Sequence, residues 1–144
     1  MTYGRTSFAF KGGGVWFWYE TDGTNVPIAE IRAHAESISR DEGPDAARDF
    51  MAMIRVKLKR AEQGQLIEPQ EGRPYLARQP GMMEVKWSIE QRLWRLYYCE
   101  PPRLHEQRGM LGLYFNEKLS KKQQDCDIDE AARRWDWWQV SQRG

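Results

Sequence analysis

The sequence predicts one domain of the α+β class, in which a small antiparallel sheet of about four strands packs against an N-terminal helical hairpin and a C-terminal helix. A length of 144 residues suits a single domain with a sizeable core. The continuous aromatic and β-branched run at residues 15–19 indicates a buried strand. Two segments with apolar residues at helical spacing follow it, and three short apolar segments then precede a last amphipathic segment.

Helical periodicity and breaker residues predict the helical hairpin. The first helix extends from about residue 27 to 39 and carries apolar residues at helical spacing from Ile28 to Ile38. Gly43 and Pro44 then break the chain, and a second helix with its own apolar stripe extends to about residue 63. Each helix therefore has one face that can pack against a sheet.

Three short apolar segments, residues 82–87, 93–99 and 110–115, predict the antiparallel sheet. In the first segment apolar and polar residues alternate, so one face of the strand should meet the core and the other the solvent. A loop at residues 65–81 leads to these strands, and the closing helix is predicted to begin near residues 125–129.

Glycine content and end effects set the domain boundaries. The glycine cluster at residues 12–14 and the lack of a helical period before it predict a flexible N-terminal arm over residues 1–14. We assign residues 15–140 to the single domain and expect residues 141–144 to form a frayed tail.

The charge balance and composition exclude several classes of function. The chain carries 22 basic and 21 acidic side chains, so any nucleic-acid site must be a local patch. No segment approaches the roughly 20 apolar residues that span a bilayer, so we expect a cytoplasmic protein with no membrane partner. His34 and His105 have no further histidine or cysteine at ligand spacing, and we expect neither a metal nor a cofactor.

Polar residues within the predicted strands are the first candidates for a functional site. Glu84 and Lys86 alternate with apolar residues on one strand, and are also compatible with a simple solvated face. Arg95 lies among aromatic residues on the next strand, where it either pairs with Glu84 across the sheet or clamps a phosphate with its planar guanidinium. Tyr114 on the last strand is either a core residue or a group that donates a proton or stacks on a base.

Basic residues outside the strands form a second set of candidates. Lys118, Lys121 and Lys122 follow the last strand and form either a solvated turn or a phosphate-binding cluster. The second helix carries further basic residues opposite its apolar stripe, of which Arg55 and Lys59 are our nucleic-acid-binding candidates. This basic helix face is either ordinarily solvated or one wall of an anion-binding groove.

The element order and several short motifs resemble the RelE/ParE toxin superfamily, and in particular its HigB-like, phage-associated branch. The resemblance covers about residues 15–138, and its motifs occupy residues 83–86, 94–98, 113–122 and 127–133. In that branch an arginine usually stands at the position of Lys86 and a histidine at the position of Tyr114. The resemblance implies a RelE-like fold for the domain.

The resemblance also implies a small endoribonuclease of a toxin-antitoxin module. Such a toxin enters the ribosomal A site, cleaves messenger RNA without a metal and is neutralised by a helix-turn-helix antitoxin. The RNA 2′-hydroxyl attacks the adjacent phosphate, which requires a base, positive charge and a proton donor. Under the resemblance Arg95 binds the phosphate, Glu84 is the base and Tyr114 donates the proton. The lysines at positions 86, 118, 121 and 122 supply further charge.

Three functional hypotheses follow, and each predicts a different surface. An active ribonuclease predicts that Arg95, Tyr114 and Lys118 converge in one positive groove. A catalytically inactive relative from a phage or mobile element, which binds a protein partner or nucleic acid as a regulator, predicts an apolar or mixed groove. A non-catalytic nucleic-acid binder would use the basic face of the second helix, with an affinity that falls steeply with salt.

Overall fold

A computed structural model describes residues 6–143 and contains a five-stranded sheet, a small two-stranded hairpin and three α-helices within that range. In chain order the elements are β1 (Val15–Trp18), β2 (Glu20–Thr21), β3 (Thr24–Asn25), α1 (Val26–Glu42), α2 (Pro44–Glu62), β4 (Gly72–Arg73), β5 (Met83–Ile89), β6 (Arg92–Cys99), a 3₁₀ helix (Pro102–Gln107), β7 (Gly109–Lys118) and α3 (Lys121–Ser141). The α+β class is thereby confirmed. None of the helices in the described range is long and apolar enough to cross a membrane.

The main sheet is mixed, and this corrects the predicted antiparallel sheet of about four strands. Its order is β1-β7-β6-β5-β4, with β1 parallel to β7 and the other neighbours antiparallel. After β1, the helical hairpin α1-α2 takes the chain across one face of the sheet to the opposite edge, where β4 lies. The chain then returns through β5, β6 and β7, and β7 runs parallel to β1. The fifth strand, β4, has only two residues and lies in the predicted loop.

Alternation along the strands divides the core into two layers. Phe50 of α2 packs on one face of the sheet against Trp94 and Phe115, whose rings stack at 5.7 Å. The other face carries Tyr97 and Leu113 and packs against α3 through Ile128. The helical hairpin and the closing helix therefore cover opposite faces of the sheet.

The N-terminal segment from Thr6 onward packs against the rest of the domain. Ser7 is buried, and its hydroxyl donates a hydrogen bond of 2.6 Å to the Glu100 carboxylate. The backbone N–H of Phe8 donates to the same carboxylate at 2.8 Å. Two charge-assisted hydrogen bonds from adjacent residues hold the segment in place. Residues 1–5 of the expected arm lie outside the described range.

The closing helix begins earlier than predicted. The side chain of Ser120 caps α3, since its Oγ accepts a hydrogen bond of 3.1 Å from the Gln123 backbone N–H. Lys121 and Lys122 therefore lie in the first helical turn and not in a turn before the helix. At the other end α3 reaches Ser141, the first residue of the expected frayed tail, and Gly144 lies outside the described range.

Candidate functional site

A groove of about 190 Å³ lies between the α3 face of the sheet, the loop around residues 73–78 and the start of α3. Strands β5 and β6 form its floor, where Lys86 lies opposite Arg95 in the register of the two strands. Six cationic side chains line the groove, together with two carboxylates and several uncharged residues. The cations are Arg73, Arg78, Lys86, Arg95, Lys118 and Lys121, and the carboxylates are Glu84 and Asp125. The groove is thus locally basic in a chain with a formal net charge of +1.

Arg95 and Glu84 form a buried pair at the bottom of the groove. Their side chains are only 8% and 4% exposed, and Arg95 Nε lies 3.4 Å from Glu84 Oε1. One terminal nitrogen of Arg95 donates to the Trp94 carbonyl at 2.9 Å, whereas Nε makes no hydrogen bond. Gln124 of α3 donates to Glu84 Oε1 at 3.2 Å. The guanidinium is therefore held in place while retaining unused hydrogen-bonding capacity.

Lys86 and Lys118 lie partly buried beside this pair, and their environment disfavours the charged form. Burial is the largest cause that lowers the pKa of both ammonium groups. The Arg95 guanidinium lowers both pKa values further, and the Glu84 carboxylate partly opposes the effect. An anion in the groove would relieve this repulsion, so the site is electrostatically suited to a phosphate.

Ion pairs between the loop and α3 hold the outer wall of the groove in place. Arg78 forms two hydrogen bonds with the Asp129 carboxylate, at 2.8 and 2.7 Å. Its guanidinium also lies 3.6 Å from Asp125. Arg73 is more exposed, and its Nε lies 4.0 Å from Glu84 Oε2. Arg73 and Arg78 are not among the predicted site residues, because a loop without periodicity gives no signal of which side chains it turns toward the sheet.

Tyr114 does not line the groove, although it lies on the same face of the sheet. The Arg134 guanidinium covers its ring at 4.5 Å, and Asn116 Nδ2 lies 3.4 Å from its hydroxyl. Burial is the main cause that raises the pKa of this phenol to about 12. Arg95 and Lys118 therefore converge as the active-enzyme hypothesis expects, whereas Tyr114 belongs to a neighbouring polar cluster.

Three other candidates lie away from the groove. Lys122 is exposed on α3 and does not contribute to the lining. Arg55 and Lys59 are exposed on α2, and α2 packs on the opposite face of the sheet. The basic face of α2 is therefore not a wall of this groove.

Within residues 6–143, no group of three or more histidine, cysteine, aspartate or glutamate side chains could hold a metal ion. No protein-family model matches the chain, and comparisons with curated proteins and with solved structures give no match either.

Proposed function

We propose that this protein is a toxin-type endoribonuclease that binds the RNA backbone in the basic groove. The observation that carries the proposal is the convergence of cations from β4, β5, β6, β7 and α3 on one small groove, in a chain whose total charge is nearly balanced. The four cations other than Lys86 and Lys118 each lie within 4.0 Å of a carboxylate. The charges of Lys86 and Lys118 are disfavoured by burial, and an anion in the groove would compensate them. Messenger RNA on the ribosome as substrate and a helix-turn-helix antitoxin as partner are proposed on the resemblance alone.

The proposed reaction is an attack of the RNA 2′-hydroxyl on the adjacent phosphate. The 2′-oxygen–phosphorus bond forms as the bond to the 5′-oxygen breaks, one proton leaves the 2′-hydroxyl and one reaches the leaving oxygen. Arg95 suits the phosphate-binding role because its guanidinium lies at the bottom of the groove and is positioned by Glu84. Lys86 and Lys118 suit charge stabilisation and proton transfer, since burial lowers the pKa of both ammonium groups and makes them better proton donors.

Two candidates receive different roles under this proposal. Glu84 is 4% exposed and paired with Arg95, so it suits the positioning of that guanidinium better than proton abstraction. Tyr114 is covered by Arg134 and suits a structural role in the sheet. Proton transfer is accordingly assigned to the lysines.

Induced expression in a bacterial host tests the proposal when growth and messenger RNA ends are followed together. Wild-type protein should arrest growth and create new RNA ends. Arg95→Ala and the double variant Lys86→Ala, Lys118→Ala should lose both effects while keeping a cooperative unfolding transition. The control Arg55→Ala, Lys59→Ala removes the same number of charges from exposed positions on α2 and should retain both effects.

A catalytically inactive relative that acts as a regulator is the second candidate. The specific observation in its favour is the position of Tyr114, which replaces the histidine usual in the branch and lies outside the groove. This candidate predicts normal growth and intact messages on expression of the folded protein. RNA binding that still depends on Arg95 would then identify the groove as a binding site without cleavage.

A further inference from the structure

The two edges of the five-stranded sheet differ in how far their backbone groups are covered. At one edge β5 is partly covered by β4, the Lys86 backbone N–H donates to the Glu71 carbonyl at 2.9 Å, and the Lys57 ammonium donates to the Lys86 carbonyl. At the other edge lies β1, which pairs with β7 on one side only. Proteins normally cover or charge such edges, because unpaired backbone groups are a template for another strand.

The free side of β1 presents backbone groups from two tryptophans. Val15 donates its N–H to the Arg108 carbonyl at 3.0 Å and Tyr19 donates to the Gly112 carbonyl at 2.9 Å. The backbone N–H and C=O groups of successive residues point to opposite edges of a strand. Because Val15 and Tyr19 donate toward β7, the N–H and C=O groups of Trp16 and Trp18 point away from it. Within the described part of the chain they have no hydrogen-bond partner. The strand sequence VWFW contains no charge and no proline to discourage pairing.

We propose that two copies of this chain pair through β1, antiparallel and about a two-fold axis at Phe17. Trp16 of each copy then lies opposite Trp18 of the partner, and the two pairs exchange four N–H···O hydrogen bonds. The two five-stranded sheets become one continuous sheet. This interface is independent of the ribonuclease proposal, because it lies at the edge opposite β5.

Charge complementarity along β1 favours a second copy in this orientation. Lys11 and Arg108 are exposed near the start of the strand, where Arg108 donates to the Gly13 carbonyl at 2.7 Å. One exposed acidic residue, Glu62, also lies there, since its carbonyl accepts from the Gly14 N–H at 3.0 Å, so this end remains basic by one charge. Glu20 and Asp22 are exposed just after its end. Antiparallel pairing about a two-fold axis brings the basic end of each strand against the acidic end of the other. Parallel pairing would oppose like charges at both ends.

The aromatic side chains of β1 add an apolar contact with the same symmetry. Trp16 and Trp18 lie on one face of the strand and stack at 5.2 Å with an angle of 19° between their rings. In the paired form the two stacks lie side by side on one face of the joined sheet. Cross-strand aromatic pairs of this kind stabilise antiparallel strands.

Mass measurement by sedimentation equilibrium over a wide concentration range tests the proposal on the full chain. Wild-type protein should reach twice the mass of one chain. Glu20→Lys, Asp22→Lys should raise the dissociation constant by about tenfold at low salt, because each repulsive contact occurs twice. The matched control Glu36→Lys, Asp49→Lys makes the same charge change on α1 and α2 and should leave the dimer unchanged.

Complementary charge reversal distinguishes pairing through β1 from dimerisation through another surface. Lys11→Glu should also weaken its own dimer, and mixing it with Glu20→Lys, Asp22→Lys should restore a heterodimer. Amide hydrogen exchange of Trp16 and Trp18 should be slower in the dimer than in the dilute monomer. A single-chain mass at every concentration overturns the proposal. So does a dimer that withstands the Glu20 and Asp22 reversal but dissociates when the exposed Trp137 of α3 is changed to lysine.

Discussion

At the bottom of the groove, the buried charges of Arg95 and Glu84 compensate each other. Both side chains are almost inaccessible, and the carboxylate also accepts from Gln124. Such a pair contributes little net stability when intact, but the loss of one partner leaves the other charge buried without compensation. The position of the arginine therefore depends on the glutamate.

We predict that Glu84→Gln lowers the free energy of unfolding by about 3 kcal/mol, since it leaves the Arg95 guanidinium buried without a counter-charge. Urea unfolding monitored by tryptophan fluorescence measures the change. Glu36→Gln, on the exposed side of α1, is the control and should stay close to wild type. Equal midpoints for Glu84→Gln and Glu36→Gln would show that the pair is not structurally coupled.

The residues on the groove floor were predictable from the sequence, whereas those on its outer wall were not. Alternation within β5 assigns Glu84 and Lys86 to one face of that strand, and alternation within β6 separates Arg95 from Trp94 and Leu96. The register of β5 with β6 then places all three on the same face of the sheet. Arg73 and Arg78 approach the groove only through contacts of the loop with β5 and α3, which are far apart in the chain. Lysine and arginine clusters on helices, in contrast, carry no information about which sheet face the helix covers.

Among the elements, α1, α2 and the three long strands follow from local periodicity, whereas the position of β1 does not. Its parallel pairing with β7 joins residues such as Val15 and Gly109, and only the crossover of the helical hairpin determines that partner. The start of α3 did have a local signal. Ser120 followed by Gln123 is a capping pattern that takes precedence over the acidic residues further along.

A polar cluster joins β7 to α3 and should make stability depend on pH. Asp127 is 7% exposed, and its carboxylate accepts from Asn116 at 3.1 Å and from Gln123. Burial is the largest cause that raises the pKa of Asp127 above its ordinary value of 3.8. The folded protein then holds this proton more tightly than the unfolded chain. Its contribution to stability is present below pH 3.8 and is lost as the pH rises through the folded pKa.

Asp127→Asn should remove that dependence. The free energy of unfolding of the wild type, taken relative to the variant, should fall as the pH rises from about 3.5 to about 7. Denaturant unfolding at several pH values measures it. Asp136→Asn changes an exposed carboxylate on the same helix and controls for the loss of charge. A constant difference between wild type and Asp127→Asn would contradict the assigned direction.

At the scale of the whole molecule, basic and acidic side chains nearly balance, and an excess of positive charge occurs locally in the groove. A formal net charge of +1 gives little long-range attraction for RNA, so binding should depend on the few cations of the groove. The salt dependence of binding counts those cations, because each phosphate neutralised releases condensed counterions.

We predict that binding of a single-stranded RNA to the purified protein weakens with salt, and that Lys86→Ala and Lys118→Ala each reduce the log–log slope by about 0.7. Fluorescence anisotropy at several salt concentrations measures the slope. Lys122→Ala removes a lysine that lies outside the groove and should leave it unchanged. A slope that decreases equally in all three variants would indicate diffuse binding over the surface.

The pairing of β1 with β7 has a consequence for folding during synthesis. Among the strands of the main sheet, β1 is made first and its partner β7 is made last. Until residues 109–112 have emerged, the apolar strand Val15–Trp18 lacks the strand that it pairs with in the described part of the chain. Contacts between segments so distant in sequence form slowly, because loop closure costs entropy before pairing compensates for it. The nascent chain therefore passes through a stage at which its most aromatic strand is exposed to chaperones and to aggregation.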